Sequence, residues 1–258
     1  MCGRFTLTTP AQQLANLFNF EMPSDDNEGL FPRFNIAPTQ DVAAVRVIEP
    51  GEAASLVPLR WGLIPSWAKD TKIGNRLINA RAETISELPS FRDPFRSRRC
   101  LILADGFFEW KKSGDAKLPY YIRRADHAPF AFAGLWDRWR GVDEVVESCA
   151  IITTTANELL EPLHQRMPVI LDPDAFADWL DPRMKRIDHL KGFLRTFPAD
   201  EMELTAVGMG VNDARFDDPS CVRPVGTDGA SLMTTAPMSR TAKRSRSDQP
   251  SLWNCDES

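Results

Sequence analysis

Cys2 is the residue of this chain with the most unusual chemistry open to it. Removal of Met1, favoured when the second residue is small, would leave one residue carrying both a thiol and an α-amine. Such a 1,2-aminothiol traps aldehydes in a way no internal side chain can: the amine forms an imine and the thiol then closes a five-membered thiazolidine. The amine is well suited to the first step. With a pKa near 7.8 it is roughly 10–15% neutral at pH 7, against about 0.04% for a lysine. The thiol, near 8.5, adds a few per cent of thiolate. A lone free cysteine is more often a small buried hydrophobe, so position alone leaves both readings open.

The surrounding motifs narrow the choice. The chain opens MCGRF (1–5) and continues with FNIAPTQ (34–40), RWGLIPSWAKD (60–70), INARAET (78–84), ADGFFEWKK (104–112) and HQRMPVIL (164–171). In that order they closely resemble the SOS response-associated peptidase (SRAP) family. The resemblance runs from Met1 to about Val225, where VNDARFDDPSCVRPV resembles the family's closing segment. It implies a domain that recognises abasic sites in single-stranded DNA and crosslinks to them through the mature N-terminal cysteine. Its active-site residues fall on Cys2, Asn79, Glu109 and His164. The chain departs from the family between Pro65 and Asn79, where a shorter, often double-aromatic segment is common and SWAKDTKIGNRLI (66–78) stands here with Trp67 alone.

Each implied residue has a chemical task. Abasic deoxyribose is mostly a closed hemiacetal, and a positioned carboxyl group can open the ring and help the carbinolamine lose water. Glu109 is the candidate: Phe107, Phe108 and Trp110 bracket it, and an apolar setting raises a carboxyl pKa towards neutrality. The alternative is a solvated acid beside Lys111 and Lys112. His164 can serve as acid or base near pH 7, or merely as a hydrogen-bonding loop residue; His127 and His189 have no such context. Asn79 would hold the Cys2 amine or the sugar without titrating, unless it only forms a turn. Glu83 is expected to pair with Arg81 or Arg4.

For DNA, Arg4, Arg81 and Arg166 lie within the motifs and are the candidate phosphate contacts, with Arg98 and Arg99 secondary. Trp67 and Pro38 are the candidate wedge or stacking surface beside a missing base. Trp61, Trp110, Trp136 and Trp139 are read as core. The formal charge of −5, from 31 basic and 36 acidic residues, argues against a protein that coats nucleic acid through bulk electrostatics, so any DNA contact is local.

These residues need a scaffold, and the sequence reads as α+β. A helix is expected over 10–18, with Thr9 as N-cap and Pro10 in the first helical position. A loop is expected from Glu21 to Gly29. Short β runs follow at 42–48, 57–64, 100–105, 119–124, 130–135 and 148–154, curled into a barrel-like, mainly antiparallel core. Beyond Thr155 the pattern turns helical: a short helix capped by Asn157, another from Pro173 to Leu180 and a third over 184–196, with β runs again at 203–208 and 221–225. Residues 1–226 form the expected domain and 227–258 a disordered basic and polar tail.

Five scattered cysteines, never as CxxC, suggest neither a disulfide framework nor zinc. No metal or cofactor is expected. Without an apolar run of roughly 18 residues or a secretory signal, the expected setting is a bacterial cytoplasm, or a nucleus if the terminal basic run is an import signal, with the protein a monomer. Two other functions stay open: an N-terminal-nucleophile cysteine peptidase or amidohydrolase, and a non-covalent reader of modified bases in duplex DNA. The imine would also make lyase chemistry accessible.

Overall fold

Arg99–Ala104 is buried at every residue and Val42–Arg46 likewise, which requires strands covered on both faces. The structure, a computed structural model, describes residues 2–21 and 29–226. It opens with β1 (Phe5–Leu7), α1 (Ala11–Phe18), β2 (Arg33–Ile36), β3 (Asp41–Arg46), β4 (Ser55–Trp61) and β5 (Asn79–Arg81). Then come α2 (Arg92–Ser97), β6 (Arg99–Ala104), β7 (Gly106–Ser113), β8 (Ala116–Arg124), β9 (Phe130–Arg140) and β10 (Val145–Thr155). The chain closes with β11 (Arg166–Pro168), α3 (Phe176–Leu180), α4 (Ile187–Gly192) and β12 (Met202–Ala206).

Five of these strands close a barrel. β4, β3, β6, β9 and β10 pair antiparallel in that order, and β10 returns to β4 in parallel through Ser148↔Arg60 and Cys149↔Trp61. Closure removes free sheet edges from the core. β5 and β11 extend the pairing of β10 beyond the ring. A second, fully antiparallel sheet runs β12-β8-β7-β1-β2. Its Phe5 ring lies 5.1 Å from Trp61 and 5.7 Å from Phe132, and Phe107 lies 6.0 Å from Phe132. Those edge-to-face contacts join the two sheets into one core. No helix among the described residues is long and apolar enough to cross a membrane.

The α+β class and the barrel agree with expectation; several local readings do not. Pro10 occupies the cap position of α1 itself. Thr9 is drawn away because its hydroxyl donates to Asp105 at 2.6 Å, while Thr8 bonds the same carboxylate. Asn157 caps a turn rather than a helix, its side chain accepting from the Leu160 amide at 3.0 Å. The helix expected over 184–196 shrinks to α4. The β run expected at 221–225 is replaced by a 3-10 turn, Pro219–Val222, because Asp218 accepts from the Ser220 amide and Pro219 starts the turn. Trp61, Trp136 and Trp139 are core, whereas Trp110 is half-buried, its indole donating to Asn212 at 2.7 Å. Most of the loop expected at 21–29, the tail at 227–258 and Cys255 lie outside the described residues.

Candidate active site

The short strand β1 decides where Cys2 goes. Phe5 pairs with Phe107 and Thr6 with Gly106, and the Phe108 amide donates to the Arg4 carbonyl at 2.9 Å. Extending that register sets residue 3 opposite Glu109. Gly106 permits this approach: a Cβ there would meet the Tyr121 ring at 2.4 Å, and Tyr121 in turn shares a 2.9 Å hydrogen bond with Thr6.

Asn79, the first residue of β5, reaches the same place from the barrel. Its side-chain amide donates to the Cys2 carbonyl at 2.8 Å. β5 lies beside β10, Asn79 in register with Ile151, and β10 leads into the turn that carries His164. The Arg166 amide donates to His164 Nδ1 at 2.9 Å. One cysteine, one amide, one carboxyl and one imidazole from four separate segments thus converge on the amino-terminal end of β1.

Cys2 is fully buried and Glu109 is 3% exposed. Burial pushes the Cys2 thiol well up, and the negative charge of Glu109 adds to it. Burial likewise raises the Glu109 carboxyl above the ordinary range. Glu109 therefore holds its proton to a higher pH than a solvated glutamate, as a general acid needs. Among the described residues, no three His, Cys, Asp or Glu side chains gather as a metal site.

The arginines fall into different settings. Arg166 forks onto Glu83 at 2.6 and 2.9 Å and also donates to the Thr153 carbonyl at 2.6 Å. Glu83 thus pairs with Arg166, not with Arg81 or Arg4, and that hydrogen bonding holds its carboxyl below the usual value. Arg4 donates to Asn35 at 2.8 Å and to the Val211 carbonyl at 2.7 Å, with its guanidinium over Trp110. Arg81 is exposed, Pro38 half-buried and Trp67 56% exposed. Arg99 is removed as a DNA contact: it is 2% exposed and donates to the carbonyls of Phe95, Trp179 and Asp181. Arg98 is paired with Asp137 at 3.1 Å.

Sequence reasoning missed Asn35. It is fully buried, accepts from Arg4 and donates to the carbonyls of Val211, Asp213 and Phe216. It thereby ties the closing segment to the strand that carries Cys2. Its place inside FNIAPTQ was the one signal pointing to it.

The sequence model described as SOS response associated peptidase (SRAP) matches residues 1–214. The chain is 43% identical over 224 residues to "Abasic site processing protein YoqW" of Bacillus subtilis, covering 86% of this chain and 99% of that one. It is 33% identical over 230 residues to "Abasic site processing protein YedK" of Escherichia coli, covering 87% and 100%. A crystal structure of a protein from Bacteroides thetaiotaomicron superimposes with a TM-score of 0.79 at 28% identity, over 86% of this chain and 99% of the other. Family match, shared fold and the convergence around Cys2 agree: this chain belongs to the SRAP family.

Proposed function

We propose that this protein processes abasic sites in single-stranded DNA, and that Cys2, once Met1 is removed, crosslinks to the lesion as a thiazolidine. The observation that carries this reading is the seating of Cys2: its carbonyl is held by Asn79 and its thiol feels the charge of a buried Glu109. The names of the relatives support the substrate class.

The chemistry follows from the side chains. One oxygen of protonated Glu109 donates to the ring oxygen while the other takes the proton of the anomeric hydroxyl, so the hemiacetal opens to the aldehyde and the carboxyl group ends protonated. The neutral α-amine of Cys2 attacks that carbonyl to give a carbinolamine, and the same carboxyl group helps expel water, leaving the imine. The thiol then adds across the C=N bond: sulfur bonds to carbon, and the thiol proton ends on nitrogen. One water is lost overall. Because burial keeps the thiol protonated, the amine is the first nucleophile. His164 moves protons on the sugar side, and Asn79 fixes the residue that reacts. Slow β-elimination from the imine would be the lyase side reaction.

Mature protein incubated with a uracil-containing single-stranded oligonucleotide treated with a glycosylase should give a heat-stable, slowly migrating adduct. An absent adduct, or one undiminished in Cys2→Ala, rejects the reading. The family's description as a peptidase supports a second one, in which Cys2 attacks an amide with its own amine as base. Turnover of a peptide added in trans favours that reading; cleavage confined to Met1 does not.

A further inference from the structure

The second sheet has two faces, and its barrel side carries the residues that meet Cys2. Side chains alternate along a strand. On β7, Phe107 belongs to the main core, while Phe108 packs with Tyr121, Val207, Val211 and Cys221 in a small separate cluster. Glu109 therefore shares the barrel side with Phe107, and Trp110 the outer side with Phe108. On β1, Phe5 lies in the main core, which leaves Arg4 and Thr6 facing outward. Thr6 meets Tyr121 at 2.9 Å, and the Arg4 guanidinium lies 5.9 Å from the centre of the Trp110 ring.

β1 has three residues, so its own ladder is weak. Residues 207–225 cover its outer side. They run from Val207, which bridges to Pro224, through 3-10 turns at Met209–Asn212 and Pro219–Val222. The first turn grips the sheet twice. Arg4 Nη1 donates to the Val211 carbonyl at 2.7 Å and to Asn35 at 2.8 Å. The Asn35 amide, on β2, donates in turn to the carbonyls of Val211, Asp213 and Phe216 at 3.3, 3.0 and 2.6 Å. One residue after Val211, the Asn212 side chain accepts from the Trp110 indole at 2.7 Å. Two residues of one turn thus hold the residue two places after Cys2 and the residue next to Glu109.

We propose that the Met209–Asn212 turn is a brace for the reaction: by tying β1 to β7 from the outer face, it fixes the separation of Cys2 from the Glu109 carboxyl on the inner face. Asn212 and Trp110 are positioning residues, which act through the backbones of β1 and β7 and not through DNA. The proposal rests on the reading of Cys2 and Glu109 as partners in crosslinking and adds what sets their distance. A displacement of about 1 Å at a reacting pair can cost about 10²-fold in rate. A hydrogen bond at the surface can therefore be felt in the chemistry while contributing little to stability.

Asn212 is exposed and Trp110 half-buried, so Asn212→Ala and Trp110→Phe each remove the bond between them and keep the fold. The test is the single-turnover rate of adduct formation on saturating glycosylase-treated single-stranded oligonucleotide, beside the affinity for its undamaged counterpart by fluorescence anisotropy. Each variant should crosslink about three- to tenfold more slowly, with affinity changed less than about twofold. The double variant should be no slower than the slower single one, because both substitutions break the same bond. Hydrogen exchange at the Phe108 amide, which donates to the Arg4 carbonyl at 2.9 Å, should quicken in all three. Asn157→Ala, a change in the scaffold, controls for lost stability and should crosslink at the wild-type rate. The brace is overturned if the variants crosslink as fast as wild type, if their losses multiply in the double variant, or if rate and affinity fall together, which would put these side chains on the DNA. Wild-type protein that forms no adduct sinks the covalent reading and the brace with it; a wild-type adduct matched in rate by every variant sinks the brace alone.

Discussion

Cys2, Cys100 and Cys149 are equally buried, and burial pushes all three thiols up, Cys100 to about 12. Their settings differ. Cys100 and Cys149 sit in β6 and β10 of the closed barrel, Cys100 opposite Gly134 and Cys149 opposite Trp136. Cys2 sits where the second sheet meets the barrel, with Glu109 and Asn79 beside it. Burial alone makes an inert thiol. On the proposed reading, reactivity has to come from what else is brought into the same dry place: a carboxyl group, an amide and the amine that removal of Met1 would expose.

Substitution tests that contrast most directly. Cys2→Ala should abolish the heat-stable adduct. Cys149→Ala should keep the adduct and lose roughly 1–2 kcal/mol of stability from a small cavity, measured by urea unfolding. Loss of the adduct in Cys149→Ala with an unchanged unfolding midpoint would erase the distinction between the two regions.

Glu109 gives the next largest effect. Glu109→Gln removes the proton donor and should slow crosslinking by about 10²–10⁴-fold at pH 7. In the wild type the rate should fall as pH rises through the elevated carboxyl pKa, and that limb should vanish in the variant. Stability also falls as pH rises. Below the ordinary carboxyl range folded and unfolded chains both hold this proton. Above it the unfolded chain releases the proton while the folded chain keeps it, so the folded state loses ground with rising pH until Glu109 also ionises. Glu109→Gln should therefore melt higher than wild type at pH 8, by roughly 2–4 °C for each kcal/mol relieved, with the gap closing near pH 4. An equal gap at both pH values would show that the carboxyl does not carry the burial cost assigned to it.

The barrel was readable in the sequence because its strands are long apolar runs covered on both faces. Residues 100–105 and 148–154 were placed within a few residues of β6 and β10. The elements that build the site were harder. β1, β5 and β11 have three residues each, too few to show a period of two, and their existence depends on partners far away in sequence. β7 went unread as a strand because GFFEWKK breaks alternation with adjacent aromatics, which Phe107 and Phe108 resolve by packing into separate clusters. The pairing of Arg166 with Glu83 spans 83 residues and left no local trace. Cys2, Asn79, Glu109 and His164 were nameable through their motifs, whereas the hold of Asp137 on the Ser66 amide and of the Trp139 indole on the Ala68 carbonyl, either side of Trp67, required the register of β9.

Asn79 carries the smallest effect and the finest comparison. Its Nδ2 donates to a carbonyl at 2.8 Å, and so does that of the buried Asn157, to the Phe197 carbonyl at 2.9 Å. Truncation of Asn79 removes that bond, about 0.5–1.5 kcal/mol, whereas truncation of Asn157 also removes the one its oxygen accepts from the Leu160 amide. The consequence should differ. Asn157→Ala should lower stability by about 1–3 kcal/mol and leave the rate of adduct formation alone, because its partners, Phe197 and Leu160, belong to the scaffold. Asn79→Ala frees the reacting residue itself, so the loss should fall on the rate, by about tenfold, with the final yield of adduct retained. Asn79→Asp should be slower still: it replaces the donor to the Cys2 carbonyl with a second carboxylate near Glu109, opposing ionisation of both acids. Single-turnover time courses of the three variants, read against their unfolding midpoints, separate the cases; equal rates in Asn79→Ala and Asn157→Ala would mean that holding the Cys2 carbonyl is scaffolding and not part of the reaction.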